Sequence, residues 1–324
     1  MALQFKPEEY KTHIRISAQK HLLVEGKNDK YLFKLFLDNL RIDQNLVVID
    51  SAEDLIQFDC NLGNRERVET VCQAVCITPW AKQLVGFVDR EFREFEINEN
   101  DMFDRIPQHN VVGSVVWSRG HSVENYYFDF EMLNAALEIY SPPDYMDEAL
   151  SLLKRNLENV IRYACAASMA GRDTYKLKIV PSSARWKMFT FSGDILSFDS
   201  SQWERILLSE HKLEKKQVSQ ILESYTNWFT RIRDSNYEVV RWMCHGHVGF
   251  SFIWTAYAKC VDEVCRRSNY KNRNNQVQNV LKADTNIRFN ICAKFWIEKS
   301  KVNQAIYPFE VIQLLELNPV NQTE

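Results

Sequence analysis

Four apolar runs within the first 120 residues, separated by polar or amphipathic stretches, constrain the fold of this chain most tightly. They are "QKHLLVE" (19–25), "NLVVID" (45–50), "QLVGFVD" (83–89) and "VVGSVVWS" (111–118). Each is short, rich in Val, Leu or Ile, and nearly continuous in its apolar character, so each reads as a strand buried on both faces. Between the first two, "NDKYLFKLFLDNL" (28–40) places Leu32, Phe33, Leu35, Phe36 and Leu40 near one helical face, and "NRERVETVCQAVCIT" (64–78) is a second amphipathic helix. Strands alternating with helices imply a mainly parallel sheet covered on both faces, hence a Rossmann-like α/β domain. In such sheets ligands sit beyond the carboxyl ends of the strands.

From about residue 130 the pattern becomes helical and strand signals are rare. "YMDEALSLLKRNLENVIRYACAASM" (145–169) follows a start marked by Pro142, Pro143 and Asp144, and "SQWERILL" (201–208) opens with Ser201 and Glu204 in a capping-box pattern. Further helices are expected at about 213–232, 248–266, 274–283 and 308–317. The expected organisation is an α/β domain over residues 1–135 and a mainly α-helical domain over 136–324.

With 45% hydrophobic and 26% charged residues the composition is that of a globular protein. No run approaches the roughly 18–20 apolar residues of a membrane span, so the expected address is the cytoplasm and no membrane partner is expected. The eight cysteines are expected to be reduced core residues, since neither Cys72/Cys76 nor Cys260/Cys265 has zinc-ribbon spacing. Charge is unevenly placed. The first 130 residues carry 15 Lys and Arg against 21 Asp and Glu, and the remainder carries 25 against 22.

Three short pieces carry chemistry: "VEGKNDK" (24–30), "GFVDREF" (86–92) and "HSVENYY" (121–127). They bring Glu25, Asp89, Glu91 and Glu124 to strand ends in the acidic half. Carboxylates packed together repel and raise one another's pKa. A divalent cation removes that cost, and an oxygen-rich site of this kind suits Mg²⁺ or Mn²⁺. Plainer readings stand beside this one: Glu25 as a chance strand-end acid, Glu124 and Asn125 as a helix cap, and His121, His245 and His247 as structural residues.

A strand ending in Glu25-Gly26, a helix, and a later apolar strand ending in Asp89-Arg90-Glu91 resemble the TOPRIM domain of topoisomerases, primases and OLD-type nucleases. The family pattern ends in Asp-x-Asp, so Glu91 stands where the second aspartate is expected. Ser122-Val123-Glu124 is similar to a later Ser-x-Glu of the OLD-type nucleases. The match covers roughly residues 18–130. The wording of these pieces, with "CHGH" (244–247), is similar to a defence-associated TOPRIM family whose best-known setting is the PARIS anti-phage system. The resemblance implies a toxic bacterial effector that cleaves nucleic acid, RNA such as tRNA or DNA. It also implies a partner ATPase of the ABC/SMC-like AAA class in the same system, and a homodimer when active.

On this reading two Mg²⁺ or Mn²⁺ ions would be shared among four ligands. Asp89 and Glu91 take one ion with Glu124 supporting, and Glu25 takes the other ion or general acid/base work. Lys27 or Lys30 would neutralise charge on phosphate. Gly26, Asp29, Ser122 and His121 are the supporting residues. Nucleic acid is expected to be gripped by Lys154, Arg155, Arg162, Lys176, Lys178, Arg185 and Lys187, interleaved with Tyr163, Tyr175 and Trp186. Residues 266–294, with seven bases against Asp284 alone, are a second basic segment. The six tryptophans from Trp186 to Trp296 read as core or interface anchors. The alternative of another class is a TOPRIM module that binds or regulates without cutting while a partner kills. A topoisomerase or primase is disfavoured because no transesterifying tyrosine context or nucleotide-binding loop is evident.

Overall fold

The computed structural model describes residues 4–58, 62–98, 102–139, 143–282, 284–300 and 306–317; Cys60 and Pro142 lie outside them. By contact the chain divides into two compact units, each discontinuous in sequence. One comprises residues 1–90, 106–119 and 289–324, the other 91–105 and 120–288.

The first unit is built on α1 (Pro7–Ile16), β1 (Lys20–Val24), α2 (Lys27–Asn39), β2 (Val47–Ser51), α3 (Asn64–Cys76) and β3 (Leu84–Val88). A five-stranded sheet, in the order β2-β1-β3-β7-β6, includes two later strands, β6 (Asn110–Val112) and β7 (Val115–Trp117). Leu22 pairs with Ile49 on one side and Val85 on the other, and Phe87 with Val116, all in parallel; only β6 runs antiparallel, against β7.

Both faces of the sheet are covered, which explains the unbroken apolar runs. Tyr10 and Ile14 of α1 and Val68, Val71, Cys72 and Val75 of α3 pack with Leu23, Leu84 and Val88. Elsewhere in the unit Phe33 meets Phe87 at 4.7 Å, and Phe36 stacks on Tyr307 at 5.5 Å. Trp296 and Phe309 also surround Phe36.

The second unit contains a hairpin of β4 (Phe95–Ile97) and β5 (Met102–Asp104), α4 (Phe130–Glu138), and the 28-residue α5 (Met146–Asp173). Then come α6 (Val180–Ser183), a second hairpin of β8 (Phe189–Ser192) and β9 (Ile195–Phe198), α7 (Ser200–Ser209), α8 (Lys215–Ile232), α9 (Tyr237–Met243), α10 (Gly246–Arg267) and α11 (Arg273–Lys282). The buried stripe of α5, Leu153, Leu157, Val160, Ile161 and Ala164, packs against α8 and α10. Two helices remain: α12 (Thr285–Ser300), whose residues from Phe289 onward belong to the first unit, and α13 (Phe309–Leu314) of that same unit.

Several expectations are corrected. The run 111–118 is a hairpin rather than one strand: Gly113, at φ +62°, takes the left-handed conformation that reverses the chain. The acidic run 89–104 contains the β4–β5 hairpin, with Phe95 and Met102 buried; residues 99–101 lie outside the described ones. Asp199, not Ser201, caps α7, accepting from the Ser201 and Gln202 amides. The seven described cysteines are free.

Candidate functional site

In the first unit the chain passes from β1 to β2 on one side and then to β3 on the other side of β1. The carboxyl ends of β1 and β3 therefore flank the point where strand order reverses, the place at which open α/β sheets hold ligands. Glu25 follows β1 and Asp89 follows β3, and Glu25 Oε1 accepts the Asp89 amide at 2.7 Å. Both residues are half-buried. Gly26 then caps α2, its amide donating to Asp29 Oδ2 at 3.0 Å, so Asp29 is engaged at the helix start. Lys27 is exposed and lies 3.9 Å from Glu53; Lys30 is exposed too.

Arg90, not singled out as functional from the sequence, is completely buried. Its amide donates to Ser118 Oγ at 3.0 Å and its Nη1 to the carbonyls of Ile106 and Arg119 at 2.9 and 3.2 Å. The residue after Asp89 is thus a peg driven into the unit.

Glu91 opens the second unit at φ +54°, a left-handed conformation uncommon for a residue other than glycine, and its amide donates to the His121 carbonyl at 2.8 Å. In the same unit a short 3₁₀ turn, Val123–Tyr127, buries Glu124. Its carboxylate accepts from Ser122 Oγ at 2.6 Å and pairs with His247 Nδ1 at 3.0 Å. Burial alone would raise the Glu124 carboxyl; the His247 ring and the Ser122 hydroxyl hold it down at about 2. Asn125 caps the turn through the Ser122 amide and donates to the carbonyls of Arg241 and Cys244 at 2.8 Å each.

The "CHGH" segment is thereby explained. Gly246 begins α10 directly against this turn, where a Cβ would collide with Ser122 Oγ and come within 2.5 Å of Glu124 Oε2. His121 lies 4.5 Å from His245 and 4.5 Å from Phe92, and neither of its ring nitrogens has a hydrogen-bond partner among the described residues. Burial first, then His245 and His247, keep His121 well below its ordinary value; burial and His247 push His245 down to about 4.

The predicted residues therefore fall into two groups. Glu25 and Asp89 meet in the first unit, while Ser122 and Glu124 meet in the second, with His121 and Glu91 linked there through the backbone. Glu25 and Asp89 offer hard oxygen donors, suited to Mg²⁺ or Mn²⁺, ions held by one or two carboxylates with water and phosphate completing the shell.

The seven predicted nucleic-acid contacts differ in how far they are committed. Arg162 donates to the carbonyls of Ile232 and Ser235, and Arg185 to those of Ser182 and Ala184 and to Glu210. Lys154 pairs with Glu131 and Arg155 with Asp194. Lys176, Lys178 and Lys187 make no ion pair among the described residues. In the second basic segment, Arg266 and Arg267 bind Glu263, and Arg273 binds Asp262.

Compared with known families and with characterised proteins, the chain matches no family model and no curated relative. Among the described residues no helix is long and apolar enough to cross a membrane.

Proposed function

We propose that this chain is a metal-dependent TOPRIM-type nuclease acting as the toxic effector of an anti-phage system. The observation that carries the reading is the pairing of Glu25 with Asp89 across the reversal point of a parallel sheet. Two supports accompany it. Glu91, one of eight described non-glycine residues at positive φ, turns the chain directly after Asp89 and Arg90. Arg90 pins the chain between Asp89 and Glu91.

On this reading Glu25 and Asp89 would hold a divalent cation; Glu91 and Glu124, also expected as ligands from the sequence, belong to the second unit and are not assigned to that cation. When bound, such a cation would supply charge stabilisation for in-line displacement at phosphorus. Lys27, exposed beside Gly26, neutralises phosphate charge. Arg90 fixes the backbone on which Asp89 stands. A partner ATPase restrains the effector until infection, and the active form is a homodimer.

The test is incubation of the purified protein with total cellular RNA and with plasmid DNA, with and without Mg²⁺ or Mn²⁺, beside Glu25→Ala and Asp89→Ala. Metal-dependent cuts that both substitutions reduce by at least 100-fold are expected; equal cutting by the variants would refute the reading. A second reading, a module that holds a cation without cutting while a partner kills, is favoured by the engagement of Glu124 with His247 and Ser122. The same gel separates the two.

A further inference from the structure

In the second unit the end of α5 and one face of α8 flank an open cleft of about 570 Å³ that no part of the proposed cleavage chemistry uses. Its most unusual residue is Tyr175. The α5 helix ends in a Schellman motif, with the Lys176 amide donating to the Gly171 carbonyl and the Tyr175 amide to that of Arg172. The residue at the left-handed position of that motif is normally glycine. Here it is Tyr175, at φ +57°, with its side chain 95% exposed to solvent. Other helix ends of the chain also carry non-glycine residues at this position, among them Arg41, Asn269 and Glu316, but at Tyr175 it holds an aromatic ring out in solvent beside the α8 face.

The opposite wall is chemically specific. Gln220, Glu223 and Asn227 are three and four residues apart on α8, hence on one face, and their side chains make no hydrogen bond or ion pair among the described residues. They present amide donors and acceptors and a carboxylate acceptor, the groups that read the edge of a base. Between them stands Trp228, fixed by its Nε1 donating to Asp173 Oδ2 at 2.6 Å. Arg231, one turn further on, lies 5.3 Å over the Trp228 ring and has no ion pair among the described residues, which leaves a guanidinium for phosphate.

We infer that this cleft takes one nucleotide of a single-stranded nucleic acid, its base stacked on Tyr175 and edged by Gln220, Glu223 and Asn227, its phosphate on Arg231. A flat ring, bifunctional amides and a guanidinium together match a base with its phosphate, whereas a duplex would keep the base inside its stack. The polynucleotide source of the ligand rests on the nuclease reading; the pocket itself does not.

The test uses the full chain in EDTA, so that cutting cannot intervene, and fluorescein-labelled RNA and DNA single strands of about 12 nucleotides read by anisotropy. Tyr175→Gly relieves the left-handed residue, so it is expected to melt no lower than the parent while binding strands roughly tenfold or more weakly. Tyr175→Phe should bind as the parent does, and the Gln220→Ala/Asn227→Ala double variant several-fold more weakly. Parent-like binding by both Tyr175→Gly and the double variant, or no binding by the parent, overturns the inference. Displacement of the strand by free AMP or GMP at equal nucleotide concentration overturns its polynucleotide source. Strand binding that depends on Tyr175, in a protein that cuts neither RNA nor DNA with Mg²⁺, would sink the nuclease reading and leave the pocket standing.

Discussion

The Arg90 guanidinium, a donor only, reaches the main-chain carbonyls of Ile106 and Arg119 from a position without solvent. Replacing it by methionine keeps most of the volume and leaves those carbonyls unsatisfied, at about 1–3 kcal/mol for each buried group. Arg90→Met should therefore lose about 2–6 kcal/mol in urea unfolding. On the proposed nuclease reading, cleavage should also fall further than stability alone explains, because Asp89 is the adjacent residue. An unchanged unfolding midpoint would show that the guanidinium is dispensable. Nothing in "GFVDREF" distinguishes a buried arginine from a surface one. Its carbonyl partners lie 16 and 29 residues away, and only the folded hairpin of β6 and β7 brings them near.

At the scale of elements, the start of α10 and the turn that buries Glu124 make a pH-sensitive joint. His245 is held at about 4 against an ordinary 6.5, so the unfolded chain binds a proton that the folded chain refuses. Its folded value is depressed, and stability present at pH 7 is lost as pH falls below about 6.5. From pH 7 to pH 4.5 the loss is about 2–3 kcal/mol. His121 is shifted in the same direction and adds to it. Glu124, held at about 2, acts lower: its stabilisation is present above about 4.5 and disappears as pH falls towards 2. Thermal melts of the parent and of His245→Asn at pH 7 and pH 4.5 test this, with the variant expected to show the smaller drop. Groups facing this joint are Glu124, His121 and His247, and their charges set the slope together.

The same scale shows what could be read in advance. β1, β2, β3, α2 and α3 were legible because local periodicity and burial agree there: strands covered on both faces are apolar throughout, and the helices carry one apolar stripe. The hairpin at 110–117 was not, since "VVGSVV" is apolar on either side of a glycine whose turn is invisible to periodicity. Likewise the short hairpins at 95–104 and 189–198 carry too few residues to show alternation. Glu25 and Asp89 were legible as strand ends. The pairing of Glu124 with His247 was not, because 123 positions separate them and only the docking of α10 joins them.

For the whole molecule, a cation that binds the folded chain and not the unfolded one raises stability by about 2.7 kcal/mol at one hundred times its dissociation constant. Adding Mg²⁺ or Mn²⁺ should therefore raise the melting temperature of the parent and leave Asp89→Asn where it was. Calorimetric scans with EDTA as the reference measure this, and a parent that does not respond to either ion would argue against the site.

Phe36 packs with Tyr307 and Trp296, residues that the ribosome adds long after β3 is complete. At 5–20 residues per second, the more than 200 residues between Val88 and Tyr307 take roughly 10–40 s to synthesise. Throughout that interval the sheet unit lacks part of its core, so Glu25 and Asp89 stand on an unfinished platform. On the nuclease reading proposed above, the nascent chain would stay inactive until Trp296 and Tyr307 are in place. On that same reading, the interval would be the time open to a restraining partner to bind before the sheet unit is complete.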